Sequence, residues 1–210
     1  MKTVRWRLET AALLLAATVS YLFFDRSIAL YCAHACTGEY NAFFSAVTKL
    51  GVSTPYLLIS GLLYLYFYTF RKDPYSAYPA KFVFLAVAVS GIAADIVKVI
   101  AGRFRPSLFL EQGLYGFDFF HLKAAMLSFP SGHTATAFAL AAVIALYRPR
   151  WALIGWGMAF MVGLSRITLT MHYTSDVLVG ALIGIMTVKI LALYEPNRNR
   201  LNANLPIYAR

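Results

Sequence analysis

Six apolar stretches, at roughly residues 9–31, 52–70, 82–101, 133–147, 151–169 and 174–194, leave this chain few ways to fold in water. A helix that crosses a bilayer needs about 20 predominantly apolar residues, and buried helices of soluble domains rarely run so long without charge. The fourth stretch is the shortest, but Pro130 and Ser131 can open it slightly earlier, with Pro130 near the first turn. Hydrophobic residues make up 60% of the chain and charged residues 13%, against about 45–50% and about 25% in ordinary soluble domains. The expected architecture is an all-α integral membrane bundle of six transmembrane helices, one domain over residues 1–210. One sizeable loop spans roughly 102–132, and a polar tail follows Pro196.

The formal net charge of +10 would hint at nucleic acid in a soluble protein. Here much of it flanks apolar segments, where it reads as topology and contact with anionic lipid. No RNA-binding signature or long basic run is present, so no nucleic-acid partner is expected. Lys2, Arg5 and Arg7 before an Ala/Leu-rich stretch resemble the start of a signal peptide, but no clean small-x-small site follows near Phe23-Phe24-Asp25. This segment is therefore read as the first helix. Eleven Lys and Arg residues cluster at one set of helix ends: Lys2, Arg5, Arg7, Arg71, Lys72, Lys81, Arg148, Arg150, Arg198, Arg200 and Arg210. The opposite ends carry Arg26, Lys49, Arg103 and Lys123, plus Lys98, Arg105 and Arg166; Lys189 lies inside the last helix. The asymmetry predicts cytoplasmic termini and an outer face that holds three polar blocks.

Those blocks are Lys98 with Arg105-Pro106, Pro130-Ser131-Gly132-His133, and Ser165-Arg166 with His172 and Asp176. His172 and Asp176, four apart at the start of the last helix, are expected to share a face. A carboxylate there can fix the imidazole tautomer and stabilise an imidazolium, which makes His172 a candidate nucleophile. An ordinary helix-surface hydrogen bond is the competing reading. Arg166 can grip phosphate oxygens or simply snorkel to the interface. Lys98 and Arg105, seven apart, project the same way if the third helix runs on to Pro106, while Asp95 is placed to neutralise Lys98. Ser131 and Gly132 open a helix whose free N–H groups suit an anion, with His133 beside it.

Together, the three blocks resemble the type 2 phosphatidic acid phosphatase superfamily, through Lys-x6-Arg-Pro, Pro-Ser-Gly-His and Ser-Arg-x5-His-x3-Asp, over roughly residues 80–195. The resemblance implies a transmembrane phosphatase domain whose active site lies at the outer end of the bundle. By that resemblance His172 attacks phosphorus to form a phosphohistidine, Asp176 orients it, and His133 protonates the leaving oxygen and then activates water. Lys98, Arg105, Arg166, Ser131 and the Gly132 amide hold the phosphoryl oxygens. Three fixed cations can supply the charge stabilisation that Mg²⁺ supplies elsewhere, so metal-independent hydrolysis without a cofactor is expected.

The implied substrate is a phosphorylated membrane lipid: phosphatidylglycerophosphate, phosphatidic acid, undecaprenyl diphosphate or lipid A. A phosphotransferase with the same intermediate and an anion transporter are the alternatives. The expected location is a cell (inner) membrane with the site facing the periplasm or exterior; oligomeric state stays open. Cys32 and Cys36 read as packed small residues, with a disulfide as the alternative. The aromatic loop Ser107–Leu127 suits the bilayer interface.

Overall fold

A computed structural model describes residues 2–36 and 38–194; the tail with Arg198, Arg200 and Arg210 lies outside the described residues. The helices are α1 (Lys2–Val19), α2 (Asp25–Ala35), α3 (Glu39–Val47), α4 (Ser53–Leu65), α5 (Pro74–Ala101), α6 (Pro106–Gln112), α7 (Gly132–Tyr147), α8 (Ala152–Thr168) and α9 (Thr174–Leu193). π-helical turns at Ser20–Phe24 and Tyr66–Phe70 continue α1 into α2 and extend α4, and a 3₁₀ turn at Thr48–Gly51 joins α3 to α4. Among the described residues, five helical runs are long and apolar enough to cross a membrane: Trp6–Ala35, Glu39–Phe70, Pro74–Ala101, Pro149–Thr168 and Thr174–Leu193. The sixth apolar helix, α7, has only 16 residues.

The bundle is organised around α7, which packs against α5, α8 and α9. Its sequence, GHTATAFALAAVIALY, is rich in small residues, and Thr134, Ala135, Thr136, Ala137, Ala139, Ala141, Ala142 and Val143 are all buried. With little hydrophobic driving force between helices in lipid, close backbone approach and dispersion take over. The α7–α9 seam shows this approach. A Cβ on Gly180 would sit 2.5 Å from the Ser131 carbonyl oxygen, and one on Gly184 would sit 2.3 Å from that of Ala135. At the other end, Lys189 of α9 donates to Glu9 of α1. Leu58, Leu62, Ile92, Ile96, Leu153 and Phe160 point outward, as lipid-facing side chains should.

The apolar stretch from residue 52 matches α4, and α3 with the 3₁₀ turn extends the helical run upstream to Glu39, across a break at the extended Val52 (φ −70°, ψ 123°). Two local expectations are corrected. The third helix stops at Ala101 and does not run on to Pro106, because Gly102 turns left-handed (φ +56°) and donates its N–H to the Lys98 carbonyl. No other residue fits that turn, since a Cβ there would lie 1.9 Å from the Asp118 carbonyl oxygen. Finally, α9 begins at Thr174, so His172 stands in the preceding turn and not on the helix with Asp176. The loop 102–132 contains α6 and folds back through an isolated antiparallel bridge between Arg103 and Phe117. Cys32 and Cys36 are both free.

Candidate active site

The three polar blocks converge at one end of the bundle. His133 at the start of α7 lies within electrostatic reach of Lys98, Arg105, Arg166 and His172. Lys98 Nζ stands over Gly132, 3.5 Å from where a Cβ would be. Lys98 also pairs with Asp95 at 3.1 Å, but the Asp95 side chain is 74% exposed, and an exposed pair of this kind contributes little. The expected neutralising pair therefore exists without removing Lys98 from the site.

Arg105 follows the Gly102 turn and precedes Pro106, the first residue of α6. Arg166, in the last turn of α8, is buried and donates from Nη1 to the Thr48 hydroxyl at 2.7 Å. Among the described residues, the Nε atoms of Arg103, Arg105 and Arg166 are buried without a hydrogen-bond partner. Those of Arg105 and Arg166 belong to guanidiniums grouped around His133 and His172, where such donors suit an anion. Ser131 caps α7. Its hydroxyl oxygen accepts from the Thr134 N–H at 3.4 Å and the Thr134 hydroxyl at 2.9 Å, which keeps its own O–H available as a donor.

His172 is buried, and its Nδ1 lies 2.7 Å from the main-chain carbonyl of Ser128. A carbonyl only accepts, so Nδ1 carries the proton and Nε2 keeps its lone pair. Asp176 Oδ2 is farther from Nδ1, at 3.6 Å. The carboxylate thus acts on the ring mainly as a charge, while the tautomer is fixed by Ser128. Burial pushes His172 below the ordinary imidazole range, against the pull of Asp176. Neutral His172 is the form that a nucleophile requires.

Asp176 is itself held from several sides. Its Oδ2 accepts the Ser128 hydroxyl at 2.6 Å and the Tyr173 N–H at 2.9 Å, the latter as one half of a capping box on α9. Its Oδ1 accepts from Arg103 Nη1. Its main-chain carbonyl accepts the Ser131 N–H at 3.0 Å, which ties the second block to the third.

Arg103, counted above among outer-face charges, is 0% exposed. It spans Asp176 and, through Nη2 at 2.8 Å, Asp25. Asp25 in turn accepts from Ser20 Oγ at 2.7 Å, the Ser175 N–H at 3.1 Å and the Ser175 hydroxyl. The π-helical turn before Asp25, in which the Asp25 N–H donates to the Ser20 carbonyl, sets this acid against the bundle. Aromatic rings surround the guanidinium, with centroids from 4.4 Å (Tyr173) and 5.0 Å (Tyr21) to 6.0 Å (Phe129). Burial opposes the Arg103 charge, but Asp176 and Asp25 outweigh it and hold the guanidinium above its ordinary value. Tyr115, in the aromatic loop expected at the bilayer interface, instead reaches inward: it accepts from Arg103 at 3.3 Å and donates to the Tyr21 carbonyl at 2.6 Å.

Sequence reasoning missed Asp25, Arg103, Ser128 and Thr48. Asp25 carried the strongest signal, an acid in the middle of an apolar run. Ser128 acts through both its carbonyl, on His172, and its hydroxyl, on Asp176, and both partners lie more than 40 residues away in the chain.

Residues 79–200 match the PAP2 superfamily. Over 194 residues the chain is 31% identical to the lipid A 1-phosphatase of Rhizobium etli, covering 88% of this chain and 82% of that protein. The crystal structure of the PAP2 type phosphatidylglycerolphosphate phosphatase from Bacillus subtilis superposes with a TM-score of 0.61 at 20% identity, over 91% of this chain and 94% of that one. The crystal structure of Aquifex aeolicus LpxE gives a TM-score of 0.60 at 28% identity, over 81% of this chain and 95% of that one.

Proposed function

The chain belongs to the PAP2 superfamily, and on that premise we propose that it is a membrane lipid phosphatase working through a phosphohistidine on His172. Nε2 of His172 attacks phosphorus, and the bond to the lipid oxygen breaks as His133 supplies the proton to the leaving group. Water then attacks the phosphohistidine while His133 takes its proton, and inorganic phosphate leaves with His172 restored. Arg105 and Arg166 grip the equatorial oxygens, and Lys98, the Ser131 hydroxyl and the Gly132 amide complete the cradle. Because phosphoryl transfer is mostly positioning and charge stabilisation, these fixed cations replace a metal.

The carrying observation is the pairing of a neutral His172, its Nδ1 proton committed to Ser128 at 2.7 Å, with two buried guanidinium Nε donors that lack a partner. Of the four candidate lipids, we place a lipid A 1-phosphate first, because the relative that shares 31% identity across 88% of the chain is named for that activity. The bundle crosses six times, as a single domain, with both termini in the cytoplasm and the site on the outer side of the cell membrane. That orientation is supported by the Lys and Arg asymmetry at the helix ends.

The test is phosphate release by purified protein across lipid A, phosphatidic acid, phosphatidylglycerophosphate and undecaprenyl diphosphate, beside His172→Ala. With labelled lipid, the wild type should trap an alkali-stable, acid-labile phosphoenzyme that the variant lacks. Undiminished release by the variant would overturn the nucleophile assignment. A C-terminal reporter active in the periplasm would overturn the orientation.

A further inference from the structure

One guanidinium, Arg103, holds two fully buried carboxylates, Asp25 and Asp176, from two different helices. Asp176 would lose most of its influence on His172 if it were simply neutralised by Arg103. Asp25 changes this balance. Two carboxylates against one guanidinium leave the buried cluster with a net charge of −1, and Asp176 is its member nearest the imidazole, at 3.6 Å. The two carboxylates of the cluster are well satisfied by hydrogen bonds, while the Arg103 Nε is buried without a partner among the described residues. Asp25 accepts from Ser20, Ser175 and Arg103, and Asp176 accepts from Ser128, Tyr173 and Arg103. Such satisfaction is what a buried ionic group needs to persist as a charge.

We propose that Asp25 and Arg103 are positioning residues for the reaction: Arg103 fixes which oxygen of Asp176 faces His172, and Asp25 offsets the guanidinium charge so that Asp176 still stabilises a cationic His172. The proposal rests on the phosphohistidine reading, because a phosphorylated imidazole protonated at Nδ1 is the cation that needs this stabilisation. It gives a catalytic consequence to an acid placed within the first membrane-spanning helix, where a lone carboxylate is costly.

His172 faces Asp176 from α9, Arg166 from α8, Arg105 from the segment after α5 and His133 from α7, with Lys98 of α5 beside His133. Asp25→Asn leaves all of these in place and removes one negative charge. The imidazolium then becomes harder to form. Neutral His172 should persist to lower pH, moving the acid limb of the rate profile down by on the order of one pH unit. kcat should fall roughly tenfold with KM little changed, because the cationic intermediate is less stable. Adding Arg103→Gln to Asp25→Asn removes the uncompensated cation and should return the acid limb to its wild-type position. A merely structural pair predicts the opposite, a double variant that is worse and a profile that never moves.

A second readout is independent of turnover: the pH dependence of His172 ethoxycarbonylation by diethyl pyrocarbonate, followed by mass spectrometry. It should shift down in Asp25→Asn and return in the double variant. An unshifted Asp25→Asn, or a double variant displaced as far as the single one, overturns the proposal. Phosphate release surviving His172→Ala would sink the phosphohistidine reading instead, while the modification profile, measured in Asp25→Asn with His172 intact, still tests Asp25.

Discussion

Replacing Gly180 by alanine tests whether the α7–α9 seam sets the geometry of the site. The new Cβ would lie 2.5 Å from the Ser131 carbonyl oxygen and 3.2 Å from Thr134 Cβ, whereas ordinary contact begins near 3.4 Å. The first contact involves backbone, so it is relieved only by moving the two helices apart by about 0.9 Å, the difference between 3.4 and 2.5 Å. That movement separates Ser131, Gly132 and His133 from the α9 end that carries Asp176 and the preceding His172. A misplacement of about 1 Å near the chemistry costs about 10²-fold in rate, so kcat should fall about 30- to 100-fold.

Stability should change much less. Overpacking costs about 1–3 kcal/mol, and the better helix propensity of alanine offsets about 1 kcal/mol of it. The assay is phosphate release in mixed micelles, with thermal unfolding followed by tryptophan fluorescence. Gly157→Ala in α8 is the control: its Cβ meets nothing within 4 Å, so kcat should stay within about twofold by the usual neutrality of open surface positions. Wild-type kcat in Gly180→Ala would refute the reasoning, whatever happens to the melting temperature.

Ser128→Ala keeps the carbonyl that orients His172 but removes the hydroxyl on Asp176. A hydrogen bond to a charged group contributes about 1.5–3 kcal/mol, so kcat/KM should fall roughly 10- to 100-fold. Because burial holds His172 below its ordinary range, the neutral nucleophile of the free enzyme persists as pH falls, and the acid limb of kcat/KM should lie below about 6.5, the free imidazole value. A limb at or above that value would contradict the assignment. Thr48→Ala removes the hydroxyl that anchors Arg166 and should raise KM several-fold, by the loss of about 1 kcal/mol of orientation. Phosphate release should persist in excess chelator, and a loss restored by Mg²⁺ would contradict a site stabilised by Lys98, Arg105 and Arg166.

Residues whose partners lie nearby in the chain were legible in the sequence, and residues paired across the bundle were not. Asp176 reads beside His172 because the two are four apart, and Ser131 reads as a helix cap because its partner Thr134 is three residues on. The alignment of Lys98 with Arg105 was expected for the wrong reason. A two-turn helical spacing was inferred, but a left-handed Gly102 ends the helix, and the loop rather than the helix delivers Arg105. Arg103 resembles any exposed arginine at a helix end until Asp25, 78 residues earlier, and Asp176, 73 residues later, are seen around it. α3 was missed because Asn41 and Ser45 interrupt its apolar pattern, and the 3₁₀ turn that follows it carries Thr48, which holds Arg166 across the bundle.

The shortness of α7 bears on how this protein meets its substrate. Sixteen residues rise about 24 Å, about 6 Å less than a typical hydrocarbon core. Enclosed by α5, α8 and α9, α7 need not match the bilayer. If Arg148 marks one boundary of the bilayer, the far end of α7 and His133 with it fall short of the other by that difference. In that placement the reaction is two-dimensional: encounter depends on the mole fraction of substrate in the surface, not on its bulk concentration. Diluting the phospholipid with inert detergent at constant total substrate should slow turnover as bulk dilution would not.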